Sequence, residues 1–261
     1  MTCNVDKKMM VKLFLDLGNT RIKAALEDDS GYQYLGPISM TDFSDPDLLD
    51  EFLDSLRPTA VFMSSVLSAN DLDRVKSIIQ QTYKLFPVML TSQKSCCGLT
   101  TGYDDFNQLG DDRWMALQGL YSKTTDPSIV IDAGTAMTID AILEGQHLGG
   151  FIVPGLNSLR ASLGSDTANL TIVEESSSTS DKVPKGLLAT NTQSAILGGS
   201  LYMTASFCNH LIADLNQQVG IQFKVYITGG NADKLNGLID LPSEVVPDLV
   251  LLGMKKIVES V

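Results

Sequence analysis

Residues 13–26 read LFLDLGNTRIKAAL and carry the pattern of a β-hairpin. The segment Val11–Leu17 is rich in strand formers, the letters GNT that follow are typical of a turn, and Arg21–Leu26 resumes an extended pattern. This pattern predicts two antiparallel strands joined by a tight turn, with Asp16 close to the end of the first strand.

A second stretch, IVIDAGTAMTIDAIL at residues 129–143, repeats the pattern of the first. Asp132 takes the place of Asp16, and a glycine follows two positions later in both stretches. A third extended run comes after each of them, near Tyr32–Ile38 and at His147–Val153. The correspondence indicates an internal duplication of one strand-turn-strand unit.

The duplication predicts two α/β domains, which we place at residues 1–122 and 123–261, with residues 1–9 as a flexible extension. Strand-type and helix-type patterns alternate around the hairpins. Further strands are predicted at Ala60–Ser65, Phe86–Leu90 and Val225–Ile227. Helices are predicted around Asp47–Leu56, at Asn70–Tyr83 with Asn70 as N-cap, at Asp111–Tyr121, at Gly155–Leu163, and at Thr190–Gln218 with a kink or close contact at Gly198-Gly199. The polar stretches Thr91–Gly110 and Glu174–Lys182 are predicted to be loops.

The charge of the chain excludes some classes of protein. The 261 residues include 19 Lys and Arg against 31 Asp and Glu, so the formal net charge is −12. Such a charge disfavours binding to DNA or acidic membranes by electrostatic attraction. Charged residues also interrupt every apolar stretch before the ~18 residues that a membrane span requires. We therefore expect a cytoplasmic globular protein that binds neither nucleic acid nor membrane and holds any anionic ligand by local groups.

Cysteine and histidine usage argues against disulfide and zinc frameworks. The four cysteines include the adjacent pair Cys96-Cys97 but no CxxC spacing, which favours reduced thiols in a cytosol. The two histidines, His147 and His210, leave little room for a multi-histidine metal site. We interpret each of them as a surface imidazole or a satisfied core imidazole.

Three common motifs are absent from the sequence: GxxxxGK[ST], GxGxxG and GxSxG. What remains is a set of turns at strand ends, namely DxGNT at Asp16, DxGT at Asp132 and TGG at Thr228. A single turn of this kind is equally typical of an ordinary hairpin. The three together favour a nucleotide cleft.

In such a cleft, turns without bulky side chains let backbone N–H groups approach phosphate oxygens, and the hydroxyls of Thr20 and Thr135 add donors. The carboxylate of Asp16 can hold hydrated Mg²⁺. We expect one hairpin from each half of the chain to hold ATP from either side.

Five segments stand in an order that resembles the type III pantothenate kinases, a family also labelled Bvg accessory factor-like. They are DLGNTRIK (16–23), YDDFNQLGDDRW (103–114), IDAGTAMTID (131–140), GGFIVPG (149–155) and ITGG (227–230). The first and third resemble phosphate-binding hairpins of the acetate and sugar kinase/Hsp70/actin superfamily, whereas the G-x-D-R string with its upstream tyrosine resembles the type III kinases in particular. The resemblance implies duplicated ribonuclease H-like domains, of the actin, Hsp70 and sugar kinase type, with a central nucleotide cleft.

The resemblance also implies a function: a homodimer that phosphorylates pantothenate with ATP to 4′-phosphopantothenate, the first step of coenzyme A synthesis, using Mg²⁺ and K⁺ or NH₄⁺. By this resemblance, Asp112 is the general base, Arg113 helps to hold pantothenate, and Asp132 is the ligand of the monovalent cation. The implied ATP-binding residues are Asp16, Leu17, Gly18, Asn19, Thr20, Arg21, Ile22, Lys23 and Thr135. The implied pantothenate-binding residues are Tyr103, Gly110, Asp111, Asp112, Arg113 and Thr192, with Thr190 as the fallback for Thr192.

The chain departs from the family pattern between Tyr103 and Gly110, where the family often has a proline and this chain reads Asp105-Phe106-Asn107. Asp111 also adds a second carboxylate beside Asp112. Taken without the motif, Asp112 is a carboxylate of the kind that the first turn of a helix favours.

Two other functions fit the same residues. One is a kinase for another small hydroxy compound, which a substrate screen distinguishes from a pantothenate kinase. The other is a regulatory protein whose cleft holds a nucleotide without transferring phosphate, a hypothesis that the intact G-x-D-R string disfavours.

Overall fold

The computed structural model describes residues 10–39, 56–165 and 188–260. In chain order the strands are β1 Lys12–Leu17, β2 Arg21–Asp28, β3 Gly31–Ser39, β4 Ala60–Ser65, β5 Val88–Met89, β6 Ser95–Cys96, β7 Leu99–Thr100, β8 Ser128–Ala133, β9 Ala136–Leu143, β10 Gln146–Pro154, β11 Lys224–Thr228 and β12 Ser243–Val245. The helices are α1 Ala69–Tyr83, α2 Asp111–Lys123, α3 Leu156–Ser165, α4 Thr192–Val219, α5 Ala232–Asn236 and α6 Leu249–Glu259, with a 3₁₀ helix at Phe106–Gln108.

Two compact units make up the structure. The first unit contains residues 1–125, 145–149 and 248–261, and the second unit contains residues 126–144 and 150–247. The domain boundary that we place between residues 122 and 123 stays a prediction. The compact units do not follow a single cut in the chain, because residues 145–149 and the last helix, α6, belong to the first unit.

Five strands of each of the two sheets follow the same order. In the first unit the order is β3-β2-β1-β4-β5, and in the second unit the strands run β10-β9-β8-β11-β12. Each sheet begins with an antiparallel hairpin, β1–β2 or β8–β9, and continues with a parallel strand, β4 or β11. The internal duplication that the sequence predicts is therefore present as a repeated topology.

In the first unit the sheet has apolar side chains on both faces. Leu13, Leu15 and Leu17 are fully buried and pack in one cluster with Val75 and Ile79 of α1. Alternate residues of a strand point to opposite faces, so Phe14 and Asp16 face the other side of β1, which α6 contacts. Both faces of this sheet are therefore covered by helices.

The helices α2 and α6 pack closely, because glycines lie where they meet. A Cβ atom on Gly253 would lie 1.8 Å from the carbonyl oxygen of Met115, and one on Gly119 would lie 2.0 Å from that of Leu249. The sequence predicts one buried side for α2, with Trp114, Leu117 and Leu120. In the structure every residue from Arg113 to Leu120 is buried, since α6 covers the remaining side.

Besides shifts of one or two residues at other ends, the structure differs from the prediction in three regions. Helix α1 begins one residue earlier, because Ser68 rather than Asn70 is its N-cap and accepts a hydrogen bond from the backbone N–H of Asp71. The strand predicted at Phe86–Leu90 is reduced to two residues, and the loop 91–110 contains β6, β7 and the 3₁₀ helix. Helix α4 runs unbroken through Gly198 and Gly199, where a methyl group would meet open space within the described chain.

Some predictions fall on parts of the chain that are not described. They are the extension at residues 1–9, the loop at 174–182 and, apart from Leu56, the helix around 47–56. Of the helices in the described residues, none is long and apolar enough to cross a membrane.

Candidate functional site

The first hairpin places Asp16 opposite a cation. Asp16 pairs with Lys23 across β1 and β2, so their side chains lie on the same face of the sheet. The turn is closed by a 3.1 Å hydrogen bond from the N–H of Gly18 to the carbonyl oxygen of Arg21, and Asn19 and Thr20 are exposed at its tip. The backbone and hydroxyl groups of this turn are therefore accessible to an anion.

A buried hydroxyl lies beside Asp16 on the next strand. Ser64 of β4 is in register with Asp16, is fully buried, and its Oγ has no hydrogen-bond partner in the described structure. No sequence pattern points to a role for Ser64. A serine near the end of a strand carries no signal that distinguishes it from an ordinary turn residue.

The second hairpin has the same shape but is held differently. The carbonyl oxygen of Thr135 accepts hydrogen bonds from the N–H of Gly155 at 3.0 Å and from Ser158 Oγ at 2.8 Å. A Cβ atom on Gly155 would lie 2.2 Å from the carbonyl oxygen of Gly134, so only glycine fits there. The start of α3 thus fixes the turn, while the side chain of Thr135 stays exposed.

Within the same unit, the carboxylate of Asp132 lies against the TGG turn that follows β11. Thr228 is in register with Asp132, and a Cβ atom on Gly229 would lie 2.4 Å from Asp132 Oδ1. Gly229 also has a φ of +93°, which L side chains rarely adopt. Both conditions restrict this position to glycine.

The G-x-D-R string forms the N-terminus of α2. Gly110 is the N-cap, and a Cβ atom there would lie 2.7 Å from Asp112 Oδ1, so the carboxylate of Asp112 lies close to the backbone of this residue. Asp112 Oδ1 accepts a 2.8 Å hydrogen bond from the N–H of Arg113, while Asp111 Oδ1 accepts one of 2.7 Å from the N–H of Ser92. The two neighbouring carboxylates are therefore held by different groups.

Arg113 and Tyr103 are brought together in the first unit. Arg113 is 4% exposed and donates a 2.7 Å hydrogen bond from Nη1 to the hydroxyl of Tyr103. Its guanidinium carbon lies 5.4 Å from the centroid of the tyrosine ring, a distance at which a cation and an aromatic ring attract each other. The predicted pair thus forms a defined unit that can present N–H donors to a carboxylate.

The segment that departs from the family pattern is ordered by Asp105. Its Oδ1 accepts hydrogen bonds from the N–H of Asn107 at 3.0 Å and from Asn107 Nδ2 at 2.9 Å, and it caps the 3₁₀ helix. These bonds lower the pKa of Asp105, and the bond from the side chain of Asn107 contributes most. An aspartate cap therefore shapes this turn where the family often has proline.

Thr192 is the first residue of α4 in the second unit, and it is exposed. The cap of this helix is Asn191, whose side chain accepts a 2.9 Å hydrogen bond from the N–H of Ser194. Thr190 is exposed as well, so the choice between the two threonines stays open.

No group of three or more His, Cys, Asp and Glu side chains in the described ranges could hold a metal ion by itself. Asp16 and Asp132 each offer one carboxylate. Mg²⁺ is commonly bound by one or two carboxylates together with substrate phosphates. A large monovalent cation is coordinated by backbone and carboxylate oxygens. The residues present fit ions that are completed by a nucleotide or by backbone oxygens.

Comparison with known proteins gives one family. The type III pantothenate kinase family model matches residues 12–214. A type III pantothenate kinase of Hydrogenovibrio crunogenus is 41% identical over 249 residues, which cover 95% of this chain and 99% of that protein. Another, of Alkalilimnicola ehrlichii, is 33% identical over 249 residues, covering 94% and 96%.

Solved structures share the fold. A Campylobacter jejuni protein described as a Baf family transcriptional activator matches with a TM-score of 0.58 and 23% identity, over 95% of this chain and 97% of that chain. A Sinorhizobium meliloti protein described as a 2-dehydro-3-deoxygalactonokinase matches with a TM-score of 0.51 and 12% identity, over 94% and 97%. The predicted fold class, a duplicated α/β protein of ribonuclease H-like domains, is confirmed.

Proposed function

Because this chain belongs to the type III pantothenate kinase family, we propose that it transfers the γ-phosphoryl group of ATP to pantothenate with Asp112 as the general base. The observation that carries this proposal is the arrangement at the start of α2. One glycine-capped helical turn there presents Asp112 next to a buried guanidinium that is already bonded to Tyr103.

Asp112 is suited to accept a proton late in the transfer. A phosphoryl group in transit carries most of the charge, so the enzyme acts mainly by positioning and electrostatics. The carboxylate then only orients the primary hydroxyl of pantothenate and takes its proton as the P–O bond forms. The 2.8 Å hydrogen bond from the N–H of Arg113 holds one carboxylate oxygen, Oδ1, in place for this role.

Arg113 and Tyr103 bind the acceptor in this proposal. A guanidinium can bond a carboxylate through two parallel N–H donors, and the carboxylate of pantothenate is the matching group. The bond to the tyrosine hydroxyl restricts the rotamers of the buried arginine. Gly110 and Asp111 shape this end of the helix, and Thr192 remains a proposed pantothenate-binding residue.

The first hairpin binds phosphate in this proposal, through its accessible turn and the side chains of Arg21 and Lys23. Mg²⁺ bound through water by Asp16 would neutralise phosphate charge, and a potassium or ammonium ion at Asp132 would add positive charge near the second hairpin. Thr135 adds a hydroxyl donor to the nucleotide.

The test of the proposed function is steady-state release of ADP with and without pantothenate. We expect Asp112→Asn to lower kcat by about 10²–10⁴-fold while ATP still binds, because only the proton acceptor is lost. The matched control is Asp73→Asn on α1, a 3.9 Å partner of Lys76. Unchanged turnover in Asp112→Asn would remove Asp112 from its role, and no pantothenate-dependent release by the unmodified protein would favour the regulatory hypothesis.

We propose that the chain forms a homodimer through the second unit. Phe151, Ile152, Tyr202 and Met203 are between 53% and 66% exposed, and Phe151 packs edge-on against Phe207, one turn after Met203 on α4. Gly198 and Gly199 each weaken an exposed helix by about 1 kcal/mol, a cost that close approach of a second helix would offset.

Ile152→Glu should convert the dimer to monomer in sedimentation or light-scattering measurements, whereas Phe86→Glu, at an even more exposed position of the first unit, should not. A monomeric unmodified protein would contradict the proposal.

A reducing cytoplasm is the proposed location, because the thiols of Cys96, Cys97 and Cys208 are all free.

A further inference from the structure

His147 is stacked on the tyrosine of the proposed acceptor site. The two ring centroids lie 5.8 Å apart and the ring planes are inclined by 15°. His147 is fully buried. Its stacked contact with Tyr103 is the route by which it can influence the proposed acceptor site. A stacked pair of this kind adds interaction free energy beyond that gained from burying the two rings.

The ring that His147 contacts is the ring that holds Arg113. The tyrosine hydroxyl accepts a 2.7 Å hydrogen bond from Arg113 Nη1, and the guanidinium carbon lies 5.4 Å from the ring centroid. A rotation of the tyrosine side chain about χ1 would move both its hydroxyl and its ring away from the guanidinium. The orientation of Tyr103 therefore sets the position of the buried guanidinium.

The backbone that precedes Tyr103 is held by Gln146 and His147 of β10. Gln146 pairs with Thr100, and its Nε2 donates to the carbonyl oxygens of Thr100 and Thr101 at 3.2 and 3.3 Å. A Cβ atom on Gly102 would lie 2.1 Å from the carbonyl oxygen of His147, so the segment lies directly on that residue.

The segment is closed by two further bonds. The N–H of Tyr103 donates to Thr101 Oγ1 at 3.2 Å, and Nδ1 of His147 accepts a long bond of 3.5 Å from the N–H of Gly102. The imidazole thus contacts both the backbone and the ring of the segment.

We propose that His147 is a positioning residue for the pantothenate site, and that its ring fixes Tyr103 in the orientation that holds Arg113. This inference rests on the proposed function, since it assigns His147 to the site formed by Tyr103 and Arg113. The stacking ring, rather than a proton of the imidazole, performs the role.

The test compares two apolar substitutions that differ in whether they can stack. His147→Leu should raise the KM for pantothenate about threefold to tenfold, the range expected for loss of one aromatic pair, with kcat and the KM for ATP unchanged. His147→Phe restores an aromatic ring and should keep the KM for pantothenate within about twofold of the unmodified protein. Circular dichroism and thermal unfolding verify that both variants fold.

A double-mutant cycle separates positioning from a general structural role. If His147 acts through the tyrosine, His147→Leu should change nothing further in a Tyr103→Ala background. The proposal is overturned if the folded His147→Leu variant keeps its KM for pantothenate, if the phenylalanine variant is as impaired as the leucine variant, or if the two substitutions add independently. Should the leucine variant fail to fold, the phenylalanine variant decides, because a raised KM in it would overturn the proposal.

A separate arm tests the proposed function on which this inference depends. Arg113→Met should raise the KM for pantothenate more than any change at His147. If Arg113→Met leaves that KM unchanged, the assignment of the acceptor site itself is wrong. If it raises the KM while His147→Leu does not, only the role of His147 is refuted.

Discussion

The two hairpins share a topology and differ in charge. In the first hairpin Asp16 lies opposite Lys23, whereas in the second hairpin Asp132 lies opposite Thr138. Directly opposite residues of antiparallel strands place their side chains on the same face. The first hairpin therefore carries a cation of its own beside its carboxylate, and the second presents its carboxylate opposite a neutral hydroxyl.

This difference suggests a division of roles between the duplicated halves. A lysine that is part of the chain suits permanent contact with nucleotide phosphates, as proposed for the first hairpin. A carboxylate without a lysine opposite it suits a cation taken from solution, as proposed for Asp132. In the proposed function, the second half takes from solution a positive charge that the first half carries as Lys23.

The largest expected effect on stability concerns two glycines, one packed against the second hairpin and one in the turn of the first. In Gly229→Ala the new methyl group would lie 2.6 Å from the carbonyl carbon of Ala133, at a φ of +93°, so we expect a loss of about 3–5 kcal/mol in the free energy of unfolding. Gly18→Ala meets the carbonyl oxygen of Arg21 at 2.8 Å and should lose about 1–2 kcal/mol. Urea unfolding measures both, and equal losses would contradict the comparison.

The next effect concerns the lysine of the first hairpin. Lys23→Met should lower kcat/KM for ATP by about 10–100-fold, because a charged hydrogen bond to phosphate is lost. Lys12→Met is the control, since Lys12 lies at the far end of the same strand pair and bonds Glu27 at 2.9 Å. If the two variants behave alike in a kinetic assay, Lys23 has no special part in nucleotide binding.

A smaller effect is expected at the carboxylate of the second hairpin. Asp132→Asn should lower the activity in potassium about tenfold and abolish its dependence on potassium, since one unit of charge is lost from the site. Thr138→Lys offers the reverse test, because it places a fixed cation opposite Asp132 and should make activity less dependent on the added ion. Activity of the unmodified enzyme that is indifferent to both potassium and ammonium would refute the site.

The smallest effect concerns the other end of the hairpins, where Lys12 lies opposite Glu27 and Ser128 lies opposite Ile142. Burial opposes ionisation of Glu27, but hydrogen bonds from Lys12 and Lys255 outweigh it, so the pKa of Glu27 is lowered from its usual 4.5. A lowered pKa stabilises the fold above pH 4.5, and this contribution is lost as the pH falls through the folded-state value.

Glu27→Gln should therefore cost less than about 1 kcal/mol at neutral pH, and the difference from the unmodified protein should shrink in acid. Urea unfolding at several pH values measures this. A difference that grows as the pH falls would show that the ion pair does not stabilise the first hairpin.

The elements that sequence patterns predict well are those made by neighbouring residues. Both hairpins, the helix at the G-x-D-R string and α4 follow from alternation, turn residues and helical spacing, and the repeated DxG turns predict the duplication. Ser68 was missed as the cap of α1 because two residues later Asn70 offers an equally good cap.

What sequence could not predict depends on contacts between distant segments. The close packing of α6 on α2 rests on Gly119 and Gly253, and glycines inside helices give no local signal of a partner. The stack of His147 on Tyr103 joins residues 44 positions apart, so the histidine could be interpreted only as an ordinary imidazole.

The position of α6 has a consequence for protein synthesis. One side of the helix that bears Asp112 packs against residues 249–259, which leave the ribosome after every other helix and strand of the described chain. A growing chain therefore leaves an apolar surface of α2 uncovered until residues 249–259 have been synthesised. Termination shortly before residue 249 would yield a product that contains both hairpins but leaves the helix that bears Asp112 without this packing partner.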